Sequence, residues 1–83
     1  MSAHIDTLFG DHPLQGWGRL GKKQFYFHAK YGKWLFCVGN SLKEALRTPC
    51  FERQGFLIQT QPKKIHAEAK QIIYQCAREY EEK

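Results

Sequence analysis

Six residues of this chain have the types and spacing to contact a polyanion: Trp17, Arg19, Tyr26, His28, Lys30 and Lys33. Aromatic rings stack on bases and cations track phosphates, so a flat surface that interleaves the two suits nucleic acid. In this assignment Arg19, Lys30 and Lys33 neutralise phosphates, Trp17 and Tyr26 stack or wedge, and His28 adds a hydrogen bond or a pH-dependent charge. A purely structural role is also open to them: Trp17 and Tyr26 as a cross-strand pair, with lysines that discourage edge-to-edge aggregation.

Leu35 and Cys37 fall on the same face, and an apolar patch beside rings and cations is also the composition of a protein interface. The runner-up is therefore a protein-interaction or inhibitory adaptor module, or a homodimer through that face. A third alternative is a metal-free ribonuclease, with His28 as general base, a lysine stabilising the charged phosphorane, and Tyr26 or His12 as the second proton carrier. The chain offers no paired carboxylates, no activated nucleophile and no glycine-rich phosphate loop, so we expect a non-enzymatic binding module with no catalytic residue and no cofactor.

Metal chemistry is poorly served. The ligand types present are His4, His12, His28, His66, Cys37, Cys50 and Cys76, and no two of them have zinc-finger or zinc-knuckle spacing. His66 and Cys76 share a predicted helix but stand too far apart along it to hold one ion directly. Three cysteines, with no CxxC pair, also argue against a disulfide framework and for a reducing compartment.

The six residues can act together only if Gly16 to Val38 folds as its alternation dictates. With Tyr31 and Gly32 at the tip of a two-residue hairpin loop, Lys30 faces Lys33, Ala29 faces Trp34, His28 faces Leu35, Phe27 faces Phe36, Tyr26 faces Cys37 and Phe25 faces Val38. Opposed residues share a face, so Phe25, Phe27, Ala29, Trp34, Phe36 and Val38 form one apolar side. A one-residue slip would scramble that sorting, which specifies the register. A second turn at Gly21-Lys22, with glycine first as type II′ prefers, pairs Leu20 with Lys23, Gly18 with Phe25 and Trp17 with Tyr26. Trp17, Arg19, Gln24 and Tyr26 then join the mixed face.

The remaining elements are read from periodicity and punctuation. Residues 2–9 are expected to form a short helix with Ile5, Leu8 and Phe9 on one side, stopped by Gly10 and Pro13, followed by a loop from Asp11 to Gln15. Ser41 and Glu44 make a capping box that opens a two-turn helix with Leu42, Ala45 and Leu46 inward. Gly55 to Gln61 is expected to be a strand, with Glu52-Arg53-Gln54 as its approach. Pro62 then starts a long helix whose Ile65, Ala69, Ile72, Ile73, Cys76, Ala77 and Tyr80 recur at helical spacing, with an end that frays because Glu79, Glu81 and Glu82 oppose the helix dipole.

The expected fold is α+β: an antiparallel sheet of three or four strands, a long C-terminal helix on one face, and one or two short helices. At 83 residues it is a single domain, divided into residues 1–14 (short helix and loop), 15–61 (sheet with inserted helix) and 62–83 (helix). All the charged residues from Gly16 to Leu35 are cations, whereas the net charge of the whole chain is only +5. This localised basic charge favours an acidic partner, nucleic acid first and a protein second. No apolar run approaches a membrane span and the N-terminus lacks a signal-peptide layout, so we expect a cytoplasmic protein with no membrane partner.

Overall fold

The computed structural model describes residues 3–11, 13–58 and 61–82. Five strands, β1 (His4–Phe9), β2 (Leu14–Leu20), β3 (Lys23–Lys30), β4 (Lys33–Gly39) and β5 (Phe51–Phe56), form one antiparallel sheet in chain order. A short helix, α1 (Leu42–Arg47), joins β4 to β5, and α2 (Pro62–Glu82) closes the chain. The fold is α+β, an antiparallel sheet packed against a long C-terminal helix.

The register of β2, β3 and β4 follows the alternation residue for residue. Trp17 pairs with Tyr26, Gly18 with Phe25 and Leu20 with Lys23 across the first turn; Phe27 pairs with Phe36, His28 with Leu35 and Lys30 with Lys33 across the second. Tyr31 and Gly32 have φ of 55° and 77°, the two left-handed residues that a type I′ loop requires. Gly21, at φ 62°, supplies the single positive φ that the other turn needs.

The inner side of the sheet carries Leu14, Leu20, Phe25, Phe27, Ala29, Phe36, Val38 and Phe51, all buried. Onto it α2 lays Ile65, Ala69, Ile73, Cys76 and Ala77, also buried, with Ile72 and Tyr80 at the margin. Each of the wholly buried phenylalanines contributes roughly 1.5–3 kcal/mol of transfer free energy. Phe25 stacks on Phe36 at 5.4 Å, and Phe51 bridges Phe36 and Tyr80 edge to face.

Four expectations are corrected. The N-terminal segment, from residue 3 of those described, is not a helix: His4–Phe9 is an edge strand paired with β2, so the sheet has five strands and not three or four. A bulge between Ile5 and Thr7 breaks the alternation, so that Ile5 and Leu8, three residues apart, both face the core beside Gly18 and Gly16. The loop expected to reach Gln15 ends earlier, as β2 begins at Leu14.

The last strand runs over Phe51–Phe56 and not Gly55 to Gln61, of which Gln59 and Thr60 lie outside the described residues. Glu52, Arg53 and Gln54 are strand residues, polar because β5 is an edge. Arg53 points to the helix side, where its guanidinium lies 4.3 Å from the centre of the Phe51 ring and its Nε donates to Glu79 at 3.1 Å.

In α1 only Ala45 is buried; Leu42 is half-buried and Leu46 is exposed. The cap is as expected in kind, since Ser41 Oγ accepts from the Glu44 amide at 3.2 Å, but the Glu44 carboxylate reaches back to the amide of Asn40.

Candidate nucleic-acid interface

The side of the sheet opposite α2 gathers all six candidate residues on three adjacent strands. Trp17 and Tyr26 are directly opposed, His28 follows Tyr26 two residues along β3, and Lys30 and Lys33 close the row at the hairpin tip. Arg19 lies at the other end of β2, opposite Gln24 and His4.

The rings do not form a bare platform. Trp17, Tyr26 and His28 are each half-buried, while most of the molecule's phenylalanines are in the core on the far side. The Tyr26 and His28 rings lie nearly parallel, 15° apart in tilt with centroids 6.3 Å apart, and Phe9 of β1 meets Trp17 edge to face at 5.7 Å. The Tyr26 hydroxyl donates to Gln15 Oε1 at 3.3 Å. Burial, with a smaller effect of Cys37, raises the Tyr26 phenol above its ordinary range, so it is a hydrogen-bond donor and not a base at neutral pH.

The cations differ in their surroundings. Arg19 is exposed but spends part of its charge on Asp6, at 3.3 Å, a carboxylate that also lies 3.2 Å from His4. Among the described residues no carboxylate pairs with Lys30 or Lys33, both exposed; Lys30 Nζ lies 5.2 Å from the centre of the Tyr31 ring. Opposing two like charges on one rung costs stability.

The N-terminal segment does not lie over this face but extends it sideways as β1. It is α1 that covers part of the face, at the end away from the hairpin tip. There the Leu42 amide donates to Gln24 Oε1 at 3.0 Å, and a Cβ on Gly39 would stand 2.5 Å from the Ala45 nitrogen, so glycine is what lets the helix close. Cys37 is buried beneath this end. Burial first, then Glu52, whose Oε2 lies 3.9 Å away, push its thiol from 9.0 to about 11. Leu35 remains half-buried, so the apolar patch is smaller than the alternation suggests.

Alternation alone does not reveal Phe9, Gln15 and Asp6, which enter with β1 and β2, or Phe56, which pairs with Lys33 and so shares the face. Phe56 gives no signal of its exposure in the sequence, because it opens the apolar run Phe56-Leu57-Ile58 and reads as a core residue. His12, one of the conceivable proton carriers, lies outside the described residues. Among the described residues no three potential ligands gather as a metal site, and no helix is long and apolar enough to cross a membrane.

A cleft of about 650 Å³ lies elsewhere, between Trp34 and α2. Its carboxylates have structural partners: Glu79 holds Arg53, and Glu68 accepts the Ile58 amide at 2.8 Å. Compared with known proteins, the chain matches no protein-family model, no curated protein and no solved structure.

Proposed function

We propose that this protein is a non-enzymatic module that binds nucleic acid through the sheet face opposite α2. The observation that supports it most is the union of a ring row, Trp17, Tyr26 and His28, with Lys30 and Lys33, whose charges no carboxylate among the described residues neutralises. Cations without a carboxylate partner among the described residues, beside parallel rings, bring phosphate and base recognition within one nucleotide's reach. Arg19 serves the same end of the task less strongly, because phosphate must compete with Asp6 for it.

The test is binding to mixed DNA and RNA as a function of salt. Three phosphate contacts on a single strand give a slope of log affinity against log salt of about −2, and Lys30→Glu with Lys33→Glu reduces it to below about −1 in magnitude while abolishing retention on heparin at moderate salt. Absence of binding at low salt overturns the proposal. So does a stable dimer, or capture of one specific protein, that Leu35→Lys disperses while nucleic acid has no effect. Ribonuclease activity lost in His28→Ala would replace a binding module by the enzyme alternative.

A further inference from the structure

The ring face has one closed end and one open end. At the closed end α1 rises over Gln24 and Gly39 as a ledge. At the hairpin end two aromatic side chains stand in solvent: Phe56, 72% exposed, and Tyr31, 83% exposed. Phe56 is opposite Lys33 and therefore on the ring face, and the Leu57 amide donates to the Gly32 carbonyl at 2.7 Å, which draws the end of β5 beside the tip that bears Tyr31. Rings this exposed, next to cations, are open to stack on the bases of a ligand.

Building on the function proposed above, we propose that the ligand is a single strand of about five nucleotides. It lies with one end against α1, its bases on Trp17, Tyr26 and His28, and it crosses Lys30 and Lys33 so that its outer bases stack on Phe56 and Tyr31. Only unpaired bases expose the faces these rings need, since a duplex buries them in its own stack. From Tyr26 to Phe56 is four residues along the strands and two strands across, about 13 Å by about 10 Å, or roughly 16 Å on the diagonal. From Trp17, one strand further, the span is about 19 Å, and a strand whose bases lie on protein rings instead of on one another is extended at about 6 Å per nucleotide, so it takes about four nucleotides to Phe56 and a fifth for Tyr31, near the short limit of known single-strand sites. The complementary charge is on the path: Lys30 and Lys33 sit midway, where a phosphodiester between two stacked bases must pass.

The experiment measures binding of the full chain to fluorescein-labelled oligothymidine and oligouridine of 2 to 12 nucleotides, with a 20-base-pair duplex as competitor, at low salt. Affinity is expected to climb to five or six nucleotides and then level, and single strands are expected to compete at least tenfold better than duplex. The two oligonucleotide series distinguish DNA from RNA as the source of the strand. Phe56→Ala with Tyr31→Ala is expected to weaken the six-mer about tenfold and to move the plateau to three or four nucleotides, while the melting temperature changes little, because both side chains are solvent-exposed and Tyr31 gives up only its contact with Lys30. Equal binding of duplex, a plateau beyond ten nucleotides, or an unchanged plateau in the double variant overturns this inference and leaves the function standing. Failure to bind any of the oligonucleotides or the duplex overturns both.

Discussion

Lys30 and Lys33 occupy the last rung of a type I′ hairpin, directly opposed and without a carboxylate partner among the described residues. A fold selected for stability alone would place an acid at one of them, since opposite charges on a rung contribute roughly 0.2–1 kcal/mol and like charges cost a similar amount. Lys33→Glu is therefore expected to stabilise the protein by about 0.5 kcal/mol in urea unfolding and, in the same variant, to weaken nucleic-acid binding. A variant that loses both, or neither, would separate the lysines from the proposed role.

The thiols make a second residue-scale prediction. Burial, then Glu79, raises Cys76 from 9.0 to about 12, and Cys37 reaches about 11. A thiol that titrates higher in the folded than in the unfolded chain contributes stability below its unfolded pKa and loses it as pH rises through the folded value. Stability should thus fall between about pH 9 and pH 12. Cys37→Ala with Cys76→Ala should flatten that fall in a series of thermal melts, and in the parent protein only the exposed Cys50 should alkylate quickly at pH 8.

Among the elements, what could be read from the chain depended on whether the local pattern had one cause. The β3–β4 pair could be registered on paper because every inner residue of its rungs is apolar and Gly32 supplies one of the two positive φ values the loop needs, although Tyr31 takes the other against its preference. β1 could not, because the bulge at Asp6 shifts Ile5 and Leu8 onto one face at a spacing of three, which imitates a helical stripe. β5 was hidden for another reason: Arg53, an inward residue, is accommodated by the Phe51 ring and Glu79, partners that no local pattern announces. The same reasoning explains the candidate site, where the rows from β2 to β4 were legible and Phe56 was not.

Capping belongs to this scale too. Ser41→Ala removes the acceptor for the Glu44 amide and is expected to cost about 1 kcal/mol. Gly39→Ala pushes a methyl group into the backbone of Ala45 and is expected to cost about 1–3 kcal/mol. Hydrogen exchange should localise both losses to α1 and the Gln24 end of the sheet, while the hairpin tip stays protected as before.

For the molecule as a whole, consecutive strands are neighbours, so most pairings are short in sequence and only α2 must return over a long distance to cover them. Such a meander can form before the helix docks, and α2 then decides whether it persists. Ile73, wholly buried between helix and sheet, is the place to test this: Ile73→Ala is expected to cost about 2–5 kcal/mol, most of it as faster unfolding. The two sides of the sheet differ in kind, with the helix side holding the fold together and the other side carrying the proposed binding face except where α1 stands.

This division reaches the two tryptophans, one on each side. Trp34 packs over Gly55 toward the helix, and Trp17 meets Phe9 on the ring face. The protein therefore contains two separate optical reporters: with Trp17→Phe the remaining indole emission follows unfolding, and with Trp34→Phe it follows occupancy of the opposite face. Titrating nucleic acid should quench the second variant and leave the first unchanged, giving assembly and recognition independent signals without any added dye.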